Sequence, residues 1–158
     1  MTKAEELVGE LKARGLTCAT AESCTGGGVG SAITDVSGSS AVFMGGIISY
    51  DNSVKRDVLG VDPTVLDGVG PVSAECAEQM ARGARRLLKT DLAVSITGLA
   101  GPGRDGTHPA GFVWFGLATA SGVRTESMTF PGDRAAVRVA AVLHALTLLL
   151  NAARSRVA

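Results

Sequence analysis

The run Thr20-Ala21-Glu22-Ser23-Cys24-Thr25-Gly26-Gly27-Gly28 constrains this chain more than any other stretch. It follows a short apolar run, Leu16 to Ala19, that reads as a strand. It leads into Val29-Gly30-Ser31-Ala32-Ile33-Thr34, which reads as a helix rich in small residues. A strand that breaks into serine, threonine and glycine before a helix sets small hydroxyls beside unpaired backbone N–H groups and the positive end of the helix dipole. Such a turn favours an anion, and it can activate a hydroxyl nucleophile or hold an oxyanion over Cys24, Thr25, Gly26 and Gly27. A capped helix whose glycines serve tight packing would read the same way. The stretch alone leaves both readings open.

The flanking segments supply the rest of an α/β domain. Lys3 to Arg14 places Ala4, Leu7, Val8 and Leu11 on one face, with Gly15 positioned to stop the helix. After the turn Ser37-Gly38-Ser39-Ser40, the run from Ala41 to Tyr50 reads as a second strand. Asp51-Asn52-Ser53 then offers caps for a short helix from Val54 to Leu59. Asp62-Pro63-Thr64 and Gly68-Val69-Gly70-Pro71 punctuate a linking region. Ser73 caps a long helix to about Lys89, with Ala77, Met80, Ala84, Leu87 and Leu88 as its buried stripe. Leu92 to Thr97 is continuously apolar, as a buried central strand is.

A second glycine loop runs from Gly98 to Pro109. Gly111 to Ala118 and Val123 to Phe130 then read as an antiparallel hairpin about Ala120-Ser121-Gly122. Asp133 caps a final helix to about Arg154 whose wide apolar face calls for deep packing or a second subunit. The order α-β-α-β-α-α-β-β-β-α predicts one three-layer α/β domain over residues 1–158. Its sheet is mixed and mostly parallel, with a late antiparallel hairpin and helices on both faces.

Composition excludes several functions. Fifteen basic and fifteen acidic side chains cancel, and there are only one Trp, one Tyr and four Phe, so a nucleic-acid surface is not expected. Cys18, Cys24 and Cys76, with His108 and His144, lack metal-ligand spacing, so neither a metal nor another cofactor is expected. The charged N-terminal segment lacks a signal-peptide core. The run from Val139 to Leu150, broken by His144 and Thr147, is too short to span a bilayer. No membrane partner is expected, and the expected compartment is the reducing cytoplasm.

A serine nucleophile needs a base, and neither histidine sits in a recognisable triad. If the first two strands are parallel neighbours, their C-terminal ends open on one edge, where ligands of open α/β sheets bind. Tyr50 and Lys55 then fall beside Ser23. A desolvated lysine there could serve as base, with the Tyr50 phenol as relay. A solvated Lys55 and a half-buried Tyr50 are the plainer alternatives, and Cys24 reads as packing rather than as a thiolate. The second loop has no Walker lysine and no dinucleotide fingerprint, but the backbone about Gly101 and Gly103 could cradle a phosphate. Arg104 could add charge there. Arg134 and Arg138, one helical turn apart, could reach a phosphate or simply be exposed.

Together these motifs resemble the CinA C-terminal domain family. Thr20 to Gly27, Gly38-Ser39-Ser40, Ile48-Ser49-Tyr50-Asp51-Asn52 with Lys55, Gly70-Pro71-Val72-Ser73, Gly98 to Gly103, Gly111 to Phe115 and Gly132-Asp133-Arg134 occur in the family's order. The chain is similar to the family's stand-alone, PncC-type form. The resemblance implies a nicotinamide-nucleotide amidase of pyridine nucleotide recycling, converting nicotinamide mononucleotide (NMN) to nicotinate mononucleotide and ammonia. It implies Ser23 as nucleophile, with Tyr50 and Lys55 completing the catalytic group, and a homo-oligomer is expected. The alternative is a non-catalytic nucleotide-binding or regulatory module linked to competence and DNA-damage responses. The second loop departs from the family's pattern: Arg104 and Asp105 interrupt the glycines, and His108 stands before Pro109 where many members have lysine.

Overall fold

The computed structural model describes residues 1–155. Helix α1 (Lys3–Arg14) opens with a capping box in which Thr2 and Glu5 bond reciprocally, and it stops at Gly15, whose φ of 66° suits glycine. Its apolar residues Ala4, Leu7, Val8 and Leu11 are all buried. The remaining elements are β1 (Cys18–Glu22), α2 (Gly28–Thr34), β2 (Phe43–Ile48), α3 (Asn52–Asp57), α4 (Pro63–Asp67), α5 (Ala74–Leu88), β3 (Leu92–Gly98), β4 (Phe112–Thr119), β5 (Gly122–Thr129) and α6 (Arg134–Ser155).

The five strands form one sheet in the order β2-β1-β3-β4-β5. Strands β2, β1 and β3 run parallel, with Glu22 level with both Ile48 and Ile96. Strands β4 and β5 return antiparallel, as the hairpin pattern predicts. Side chains alternate across the sheet and divide the core in two. Cys18, Leu92, Val94 and Ile96 pack toward α1, α2 and α6. Ala19, Ala21 and Ala93 pack toward α5. The α5 face is made of small residues because that helix rides close: Ser95 Oγ donates to Ala77 O at 2.6 Å, and a Cβ on Gly116 would lie 2.5 Å from the same carbonyl.

Several boundaries differ from the sequence expectation. Strand β1 does not end at Ala19 but continues through the polar Thr20 and Glu22, because β2 and β3 pair with it along that whole length. Strand β2 is shorter than Ala41 to Tyr50, a 3-10 turn occupying Ser39–Ala41. The short helix starts earlier, at Asn52, with Asp51 as its cap. The linking region holds a further helix, α4, which Asp62 caps and which has Pro63 in its first turn. Leu87, at the margin of the α5 stripe, is exposed. Helix α6 is long and apolar enough by composition to cross a membrane. Here it buries Val137, Ala141, Ala145, Leu146 and Leu149 in the α1–α2 layer, while Val139 and Leu143 remain exposed.

Candidate active site

Three parallel strands deliver their C-terminal ends to one sheet edge, and the chemistry-bearing residues follow immediately. Ser23 follows β1, Ser49 and Tyr50 follow β2, and Leu99 to Gly103 follow β3. All of these except the fully buried Ser49 line a cleft of about 370 Å³ together with Cys24, Asn52, Lys55, Pro71, Val72, Thr97, Arg104, Asp105 and Arg134.

Lys55 arrives there because Asp51 ends the β2 extension and caps α3, accepting from Ser53 N at 3.0 Å, so that helix turns back under the strand end. Its side chain is 2% exposed. Lys55 Nζ lies 3.0 Å from Ser23 Oγ, 2.7 Å from Ser49 O and 3.2 Å from Tyr50 O. Three acceptors match the three hydrogens of an ammonium. In the neutral amine, two hydrogens satisfy the two carbonyls, which can only accept, and the nitrogen lone pair is left facing the serine hydroxyl. Burial is the main influence on this group and lowers its pKa. Asp51, Cys76 and Cys24 act in the opposite direction when charged. The two thiols are themselves pushed up to about 11 by burial, which leaves Asp51 as the only anion of the three at neutral pH.

Ser23 is 7% exposed, and its N–H donates to Ile96 O at 2.9 Å, which ties the turn to β3. Gly26 N donates to Ser23 O and Gly28 N to Thr25 O, both at 3.0 Å, so Gly26 spends its N–H inside the turn. Among the described residues, the N–H groups of Cys24, Thr25 and Gly27 have no backbone acceptor. The Cys24 side chain is buried in the α1–α2–α6 core, and its raised pKa keeps it a thiol at neutral pH, in keeping with packing. Glu22 lies fully inside; its carboxylate accepts from Val29 N at 2.8 Å and Gly30 N at 3.0 Å. It thereby occupies the α2 N-terminus that the sequence offered to a ligand.

The other predicted residues separate into two groups. Arg134 lines the cleft, donating to Gly101 O at 2.8 Å and to the Tyr50 hydroxyl at 3.3 Å. The Tyr50 phenol is therefore at the rim, 64% exposed, and it is the main-chain carbonyl of Tyr50 that touches Lys55. Gly101, Gly103 and Arg104 line the same rim, joined by the acidic Asp105. Arg138 does not line the cleft. It donates from Nε to Cys24 O at 3.1 Å and from Nη2 to Thr25 O at 3.2 Å. His108 stacks on Phe112 instead of facing the cleft. Glu22, Ser49 and the carbonyl of Tyr50 had no role in the sequence reading. Two of the three act through main-chain atoms, which residue type does not reveal. The signal for Glu22 was its place directly before the serine and seven residues before the helical N–H it holds.

The chain is similar to known proteins along nearly its whole length. Residues 1–153 match the model of the CinA C-terminal domain. A CinA-like protein of Cyanothece sp. is 56% identical over 125 residues, covering 78% of this chain and 30% of that protein. The chain spans about a third of the length of the curated relatives it matches. Among solved structures, a CinA superfamily protein of Klebsiella pneumoniae superposes with a TM-score of 0.94 at 34% identity, covering 98% of this chain and 97% of the other. A competence/damage inducible protein of Agrobacterium tumefaciens gives a TM-score of 0.90 at 39% identity, covering 96% and 97%. With a single α/β fold shared end to end and the family model matched over nearly every residue, the chain belongs to the CinA C-terminal domain family.

Proposed function

We propose that this protein is a cytoplasmic nicotinamide-nucleotide amidase that hydrolyses NMN to nicotinate mononucleotide and ammonia. The observation that carries the reading is the buried Lys55 Nζ at 3.0 Å from Ser23 Oγ, held by two carbonyls. A serine beside a desolvated amine is an activated nucleophile that needs neither histidine nor metal.

Ser23 Oγ attacks the carboxamide carbon as its proton passes to Lys55 Nζ. The tetrahedral oxyanion is held by the N–H groups of Cys24 and Thr25, which have no main-chain acceptor and the first of which belongs to the residue after the nucleophile. Lys55 returns the proton to the departing nitrogen, ammonia leaves, and an acyl ester of Ser23 remains. Water attacks that ester with Lys55 again as base, and the Ser23 oxygen regains its proton. The ribose phosphate extends toward the rim, where Arg134 and Arg104 face it and the Tyr50 phenol, held by Arg134, helps position it.

The exposed Val139 and Leu143 of α6 support a homo-oligomer. Asp105, beside Arg104 on the rim, favours the second reading: a module that binds a nucleotide weakly and serves the competence and damage responses for which relatives are named.

Ammonia release from NMN by the purified protein tests the reading, alongside Ser23→Ala and Lys55→Ala. Release that both substitutions abolish, with the fold retained, is expected. Binding of NMN with no release by the unaltered protein would favour the second reading.

A further inference from the structure

We propose that Arg138 and Glu22 are positioning residues that fix the peptide planes of the nucleophile turn from its two flanks. The proposal rests on the reading of Ser23 as nucleophile. It gives Arg138 a task other than the substrate phosphate.

The geometry follows from the planar trans peptide, in which C=O and N–H point in opposite directions. Holding the Cys24 carbonyl fixes the direction of the Thr25 N–H, because the two belong to one plane. Arg138 Nε does this at 3.1 Å. Arg138 Nη2 holds the next plane through Thr25 O at 3.2 Å, and Gly28 N bonds the same oxygen at 3.0 Å. The preceding plane, Ser23 C=O with Cys24 N–H, is set by the Gly26 N–H at 3.0 Å. All three planes from Ser23 to Gly26 are thus oriented by partners on the carbonyl side, which leaves the Cys24 and Thr25 N–H groups pointing away from those partners.

Arg138 can approach this closely because residue 26 is glycine: a Cβ there would lie 3.3 Å from Arg138 Nη2. The arginine lies in an apolar depression beside Thr25, Gly28 and Val139, not in the cleft.

Glu22 fixes the other end. Its two carboxylate oxygens take the Val29 and Gly30 N–H groups, pinning the start of α2, into which the turn runs. Its own carbonyl accepts from Ser49 N at 2.7 Å, and Ser49 O receives Lys55 Nζ at 2.7 Å. One residue therefore connects the nucleophile turn to the carbonyl that holds the base. Both side-chain oxygens of this buried residue thereby have main-chain partners, as a buried polar group requires.

The test compares Arg138→Ala and Glu22→Gln with the unaltered protein in two assays. One is NMN turnover. The other is the rate at which Ser23 is labelled by an alkyl fluorophosphonate, which carries no nucleotide. In that reaction the Oγ–P bond forms, fluoride leaves and the serine proton passes to Lys55. The proposal expects Arg138→Ala to lower kcat about 100-fold, the cost of a misplaced reacting group. KM should stay within about 2-fold, since no ground-state contact is removed. Labelling should slow in parallel, and millimolar guanidinium should restore part of both rates. Glu22→Gln, which keeps one acceptor oxygen, should show the same pattern more weakly.

A raised KM with unchanged labelling in Arg138→Ala would overturn the proposal and return Arg138 to phosphate binding. Unchanged rates in both assays would also overturn it. Loss of the fold in Glu22→Gln would assign that residue to the fold alone and remove its half of the proposal. If the unaltered protein does not turn over NMN, the amidase reading fails, and the labelling rates still decide this one.

Discussion

Two glycine-rich loops leave parallel strands at the same edge of the sheet, and they are built in opposite ways. In the first, Thr20 to Thr25 are buried, and the carbonyls of Ser23, Cys24 and Thr25 each have a donor. In the second, residues 102 to 107 are exposed, and the ties are few: Asp105 and His108 bond each other, Arg134 reaches Gly101 O, and Leu99 closes on Phe112 and Gly111. Both loops are rich in glycine, so glycine alone did not distinguish them. What separates them is the number of partners fixing the backbone. On the proposed reading the first turn holds a nucleophile and an oxyanion to within tenths of an ångström, and three successive peptide planes there are fixed by partners. A rim that selects a substrate needs only its charges and its shape.

That contrast predicts effects of very different size. Ser23→Ala should lower kcat by at least about 10,000-fold, and Lys55→Met should come close to it. The double variant should be no worse than the worse single one, because the two groups act as a unit. Additive losses, measured by ammonia release, would break the pairing of hydroxyl and amine. On the rim, Arg134→Ala should raise KM for NMN about 10- to 100-fold with kcat little changed, as expected for a lost charge-assisted contact. KM for the unphosphorylated riboside should not move. A fall in kcat instead would place Arg134 with the machinery. Smallest is Asp105→Asn, which should lower KM by a factor of about 2 to 5 at low salt and less at high salt, the scale of an exposed charge.

The residues of the proposed catalytic group were more legible in the sequence than those proposed to support them. Ser23, Tyr50 and Lys55 are visible as residue types beside strand ends, and the structure brings Ser23 and Lys55 into contact. It gives Tyr50 a different geometry, with the carbonyl at the lysine and the phenol at Arg134. Arg138 pointed toward phosphate by its spacing from Arg134, yet it meets carbonyls 114 and 113 residues away in sequence, a contact no local pattern encodes. Glu22 is hidden for a related reason: the apolar run stops at Ala19 and the polar Thr20 and Glu22 follow, whereas pairing with neighbours on both sides keeps them in the sheet. The helices with caps and amphipathic stripes, α1 and α5, were read within a residue or so.

The most direct test of the central claim, that a desolvated lysine activates Ser23, is the pH dependence of kcat/KM for NMN. Protonated Lys55 cannot accept the serine proton, so activity should be absent at low pH and rise as the pH passes the Lys55 pKa of the folded protein. Burial lowers that pKa, so the rising limb should titrate below the ordinary lysine value of about 10.4. A single ascending limb there, matched by the pH dependence of Ser23 labelling, is the predicted result. A limb at the ordinary lysine value, or a profile with no ascending limb at any pH at which the fold persists, would contradict the account.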